Sequence, residues 1–211
     1  RVSTGTGFVE QMTLAQLRQF DFGVKYHAQF AGTPIPLLQD ILRWAVENGM
    51  GLIVEVKQRR RHDEFVYHLV ALLQSMPEAL SHIQLLGFNH VLINRVKALI
   101  PDLALQVVTL ERYNNQLAAV QHSHASCVCF EYEFAHVDDL RAYKQAGLGV
   151  RMYLHEVKNG MTPLEQYQHK FGYDSRPEIM GWLREGLIDM LSHDDLPYLQ
   201  ALIEEAGLRW A

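Results

Sequence analysis

Short apolar runs recur along the chain, and the stretches between them carry a different, helical spacing of apolar residues. Six of the runs, Leu52 to Val56, Ile83 to Leu86, Leu105 to Thr109, Cys127 to Phe130, Val150 to Leu154 and Leu187 to Leu191, are short and rich in β-formers, which predicts strands. Helices are predicted over Pro36 to Glu47, Glu64 to Ser75, Val91 to Ile100, Val137 to Gln145 and Leu196 to Ala206, each with an apolar stripe on one face. Pro101 and Gly147 stop two of them. Strand alternating with helix argues for βα units around a parallel sheet.

An open doubly wound sheet normally opens on a phosphate-binding glycine fingerprint, and none stands early in this sequence. The expected α/β fold is therefore most of a (β/α)8 TIM barrel. Such a barrel takes ~250 residues, against 211 here. The opening Arg1 to Gly7 reads as a polar loop entered midway and Leu196 to Leu208 as a closing helix. About the first two βα units are thus expected to be missing, upstream of Arg1. Residues 1–211 are read as a single barrel domain. An arc of six parallel strands leaves two sheet edges open, so the gap is expected to be closed by an upstream segment or by another chain, as in a homo-oligomer.

Composition narrows the partners. With 48% apolar and 20% charged residues, the chain can bury a sizeable core. A formal charge of −5 with mixed signs offers no basic face to nucleic acid, and Arg59-Arg60-Arg61 reads as a solvated loop. No apolar run approaches the ~20 residues of a membrane span. Cys127 and Cys129 lie two apart on a predicted strand, facing the same way and poorly placed to bridge. Reduced core cysteines fit a cytoplasmic protein.

The opening stretch carries a family resemblance. Arg1-Val-Ser-Thr-Gly-Thr-Gly-Phe-Val9, Thr13 to Leu17, Phe20-Asp21-Phe-Gly23 and Phe30 to Leu37 follow one another in the order and spacing of glycerophosphodiester phosphodiesterases. Leu52-Ile-Val-Glu55-Val-Lys57 resembles that family's third-strand Ile-Glu-Ile-Lys motif, Gly87-Phe88 stands where it often has Ser-Phe, and Ala146 to Val150 resembles its approach to the seventh strand. The resemblance implies hydrolysis of a small-molecule glycerophosphodiester to an alcohol and glycerol 3-phosphate. It also implies a divalent cation, Ca2+ or Mg2+, held by carboxylates, with two histidines as general acid and base. The family's His-Arg, Glu-x-Asp and His-Asp motifs fall upstream of the position matching Arg1. His62-Asp63 and His193-Asp194 lie outside the required context. The chain alone is therefore expected to be inactive. The alternative is a catalytically inactive barrel relative that binds a ligand or a protein.

Glu55 and Lys57, two apart on a strand, both point into the barrel mouth. A carboxylate and an ammonium there call for charged partners. By resemblance Glu55 is a metal ligand, and Lys57 is the catalytic, phosphate-binding group. A plain Glu–Lys ion pair is the other reading. Phe88 is a substrate contact by the same resemblance. Glu131 and Glu133 share a face and can line the mouth opposite Glu55, with Glu131 counted as substrate-binding; solvated loop carboxylates are the alternative. Tyr153 is expected against the glycerol moiety, and His155 as a polar loop residue. The excursion from Lys158 to Arg184, which departs from the family pattern, is expected either over the mouth, shaping substrate entry, or on the outer wall as an extra helix.

Overall fold

The computed structural model describes residues 2–209, so Arg1, first residue of the opening motif, lies outside them. Residues 1–50 and 51–211 form two compact units.

In the first unit, Thr13 opens α1 (Leu14–Leu17) with a reciprocal capping box to Gln16, which satisfies two helix-end N–H groups at once. The Asp21 carboxylate accepts from the backbone N–H groups of Gly23, Val24 and Gly32. These bonds hold its carboxyl below the usual carboxylate range. A Cβ at Gly23 would fall 2.1 Å from the Phe30 carbonyl oxygen, so the turn closes only on glycine. Leu37 then leads into α2 (Leu38–Asn48).

The second unit is a parallel sheet of six strands in sequential order: β1 (Leu52–Val56), β2 (Ile83–Gly87), β3 (Ala104–Thr109), β4 (Cys127–Glu131), β5 (Gly149–Tyr153) and β6 (Met190–Ser192). Helices α3 (His62–Ser75), α4 (His90–Leu99), α5 (Gln116–Gln121), α6 (Val137–Gln145), α7 (Pro163–Phe171), α8 (Arg176–Arg184) and α9 (Leu196–Glu205) lie between and after the strands. Every residue of β4 is buried, as are all but the first of β3, whereas β1 at the sheet edge alternates with exposed positions and Ile53 is 39% exposed. Covered on both faces, the central strands read as near-continuous apolar runs, broken by Gln106 and Thr109 in β3 and by Glu131 at the end of β4.

Side chains facing the concave side stack in tiers two residues apart, as in a barrel. The lowest is polar: Gln106, fully buried, donates to Cys127 Sγ at 2.9 Å and accepts from Arg151 at 2.9 Å, and Arg151 also donates to Ser192 Oγ. Two residues on, Leu86, Val108 and Cys129 form an apolar tier with Tyr153 packed against it.

The boundaries of β1 and α6 fall where the sequence pattern placed them. The last strand begins at Met190 rather than Leu187. Gly186, at φ 68°, ends the helical stretch, and Leu187 and Ile188 are buried in the turn that follows, before the strand starts to pair. Helix α5 was not foreseen. The excursion holds two helices: α7 beside the C-terminal ends of β4 and β5, and α8 joined to α9 by the Arg176–Glu205 ion pair at 2.5 Å.

Gln106→Leu is expected to lower stability by ~1–3 kcal/mol, because it strips an acceptor from the Arg151 guanidinium inside the sheet. The shift of the urea midpoint at unchanged slope measures it, and a midpoint equal to that of the parent would count against the polar tier.

Candidate functional site

Each strand delivers its last inward side chains to one end of the sheet. At the C-terminal end of β1, Glu55 and Lys57 share a face and pair, Lys57 Nζ lying 3.1 Å from Glu55 Oε2. Lys57 is 78% exposed and the Glu55 side chain 32%, so this pair gains little by itself. Both line a cleft of about 1220 Å³ with Arg59, His62, Phe88 and Tyr113. Phe88, half exposed, gives the cleft an aromatic wall.

Glu55 faces inward, since it stands in register with Leu86 of the apolar tier and in-register residues of a parallel pair share a face. Burial pushes Cys129 up to about 11, Arg151 opposes the shift, and Cys127, Glu131 and Glu55 add to it. Glu131, two residues beyond Cys129 on β4, shares that face, so the two carboxylates approach the tier from different strands.

Glu131 is not a solvated loop carboxylate. It pairs in register with Tyr153, its side chain is 11% exposed, and His155 Nε2 lies 3.1 Å from its Oε2. The Tyr153 hydroxyl donates to its Oε1. Burial, and then the Glu131 carboxylate, raise the Tyr153 phenol well above its ordinary value, so it stays a donor at neutral pH. Glu133 takes an ion pair from Lys170 of α7, and the α7 residue Tyr167 packs its ring 5.6 Å from that of His155. Glu131 and Tyr153, singled out separately in the sequence, are thus direct partners. His155, expected as a loop residue, is the third member of the group. A signal existed: Tyr153 and His155 are two apart, and Glu131 ends the neighbouring strand.

The two remaining histidines of interest are structural or loosely held. His90 is tied through Nδ1 to Ser123 Oγ at 2.9 Å and through Nε2 to the Val108 carbonyl at 3.1 Å, which anchors the start of α4. His62 opens α3 at the edge of the cleft, with its Nε2 buried and without a hydrogen-bond partner.

A sequence profile of the glycerophosphoryl diester phosphodiesterase family matches residues 1–196. The chain belongs to that family. Among its relatives is YhdW of Bacillus subtilis strain 168, which carries a provisional glycerophosphodiester phosphodiesterase name. It is 27% identical over 123 residues, 56% of this chain and 50% of its own length, so the chain spans about half of that curated relative. Among solved structures, an Oleispira antarctica phosphodiesterase in complex with the product sn-glycerol-3-phosphate superposes with TM-score 0.72 at 20% identity, over 97% of this chain and 75% of that one. A Silicibacter pomeroyi DSS-3 protein, provisionally named a glycerophosphoryl diester phosphodiesterase, gives 0.74 at 17% identity over 100% and 77%. At these identities the likeness speaks for the fold: the six parallel strands here correspond to part of the barrels solved in this family.

The family implies a divalent cation, and the described residues near Glu55 fit one only in part. Glu55 offers a single carboxylate and belongs to no cluster of three donors, where Ca2+ or Mg2+ takes six or more ligands.

Both thiols are shielded. Burial raises Cys127 and Cys129 from an ordinary 9.0 to about 11, so native protein at pH 8 is expected to leave a disulfide reagent unreacted until denaturant releases two thiols. An acid whose folded pKa is raised favours the fold fully below its unfolded pKa. That contribution fades as pH climbs from about 9 to about 11. Alkaline destabilisation in this window should shrink in Cys127→Ala and Cys129→Ala, and a slope equal to the parent's would contradict the assignment.

Proposed function

We propose that this chain supplies the cation- and phosphate-gripping side of a site that hydrolyses glycerophosphodiesters to an alcohol and glycerol 3-phosphate. The observation that carries this reading is the Glu55–Lys57 pair at the end of β1, opening into a cleft. One carboxylate can ligate Ca2+ or Mg2+, which when bound would offset charge on the phosphoryl oxygens. Lys57, held beside it and largely exposed, can swing its ammonium to the phosphate and to the charge that develops during P–O cleavage. Phe88 supplies an apolar wall for the glycerol carbons. Tyr153 and Glu131 are further substrate contacts, the carboxylate and the phenol oxygen, whose proton Glu131 holds, each accepting from a substrate hydroxyl.

Membership in the family supports this reading, and so does the product-bound Oleispira antarctica phosphodiesterase, whose fold this chain shares in part. By itself the 211-residue chain is expected to show no turnover, because none of its histidines stands where the family resemblance places a proton-transfer group.

In the polypeptide that carries this chain, Glu55→Ala and Lys57→Ala are each expected to lower kcat/KM for glycerophosphocholine, with Mg2+ or Ca2+ present, by ~10²-fold or more. Unchanged turnover in Glu55→Ala would remove this residue from the mechanism. Binding of sn-glycerol 3-phosphate without any turnover would identify a ligand-binding relative instead.

A further inference from the structure

Away from Glu55, three metal-ligating side chains converge where β4 and β5 end. Glu131, Glu133 and His155 each present one ligand atom, all within 4.8 Å of one another, and among the described residues no other three His, Cys, Asp or Glu do so. The 3.1 Å between Glu131 Oε2 and His155 Nε2 is the separation of two neighbouring ligands on a small dication. Bonds of ~2.1 Å at roughly 90–109° set ligand atoms ~3.0–3.4 Å apart. The Tyr153 hydroxyl on the other oxygen of Glu131 fixes the plane of that carboxylate, as outer hydrogen bonds do for metal-binding carboxylates.

A second observation points the same way. Tyr167 is 1% exposed, yet its hydroxyl has no hydrogen-bond partner. Its ring packs 5.6 Å from that of His155, which places this buried side chain directly behind one of the three ligands. An orphaned buried hydroxyl is costly, and a water carried on an ion at this place would give it a partner. Lys170, whose side chain is 56% exposed, now holds the cationic position beside Glu133 on a flexible stem that can swing away.

We propose that Glu131, Glu133 and His155 form a cation centre separate from the Glu55 position, and that it takes a first-row transition dication such as Zn2+ or Mn2+. The donor set selects the class: imidazole nitrogen with two carboxylates suits these ions, whereas Ca2+ prefers six to eight oxygens. The centre shares Glu131 and Tyr153 with the substrate contacts named above but takes nothing from the Glu55–Lys57 pair, so turnover of Glu55→Ala tests the phosphodiester reading and Zn2+ binding tests the centre.

Calorimetric titration of this chain with Zn2+ alone, paired with the visible absorption of a Co2+ complex, tests it. One ion per chain is expected. His155→Ala and Glu131→Gln should each weaken binding by more than ~10-fold and Tyr153→Phe by about 10-fold. Glu55→Gln should bind as the parent does, and Lys170→Gln should bind more tightly because no ammonium competes for Glu133. His155 is 37% exposed, and a native thermal melt of His155→Ala would separate lost ligation from lost fold. If His155→Ala and Glu131→Gln bind like the parent, the ion rests on other histidines and the centre does not exist. Absence of binding, or loss of binding in Glu55→Gln alone, overturns it equally.

Discussion

Everything at the candidate site depends on in-register pairing of parallel strands. Side chains alternate with a period of two, so one residue of slip in any strand would exchange its inward and outward sets. With Leu86 opposite Glu55 and Tyr153 opposite Glu131, the inward sets agree along the sheet. Glu55, Lys57, Glu131 and Tyr153 then reach the same end without any loop having to carry them. The polar tier enforces the register: a slip of one residue in β3 or β5 would turn Gln106 or Arg151 away from its partners and into apolar packing on the other face.

Inside the sheet, polarity is layered rather than scattered. Arg151 brings a full charge into the lowest tier, where Gln106 and Ser192 meet it with neutral acceptors, and Gln106 spends its amide on Cys127. The apolar tier above separates that charge from the carboxylates at the mouth. Such a layer lowers the local dielectric beneath Glu131, whose side chain is 11% exposed, and strengthens whatever it attracts.

Much of the architecture was legible because it is local. The run Leu52 to Val56 is a strand and Val137 to Gln145 a helix for reasons contained in their own side chains. The helix over Gln116–Gln121 escaped notice because six residues carry too little periodicity, although Asn115 caps it through Ala118 N and an Asn at that place is a readable start signal. In the site, Glu55 and Lys57 were legible for the same local reason, two residues on one strand. The Glu131–His155 contact was not. It joins residues 24 positions apart, and it exists only because β4 and β5 pair with Glu131 opposite Tyr153. Sequence periodicity gives the face of each residue but not its neighbour across the sheet.

The excursion after β5 makes the same point from the other side. Its helix α7 contributes Lys170 to Glu133 and Tyr167 to the wall behind His155. Tyr167 is packed between Tyr132 at 4.9 Å and Phe171 at 6.2 Å, and Tyr132 is in turn tied by its hydroxyl to Glu178 of α8 at 2.5 Å. Aromatic packing of this kind is short-ranged and stiff, so α7 cannot shift without moving the groups that face Glu131 and Glu133. The electrostatic balance at that end of the sheet is therefore set by α7 and α8 as much as by the strands. An ion there would have to displace a lysine that α7 supplies, which ties affinity at the mouth to the packing of the helices after β5.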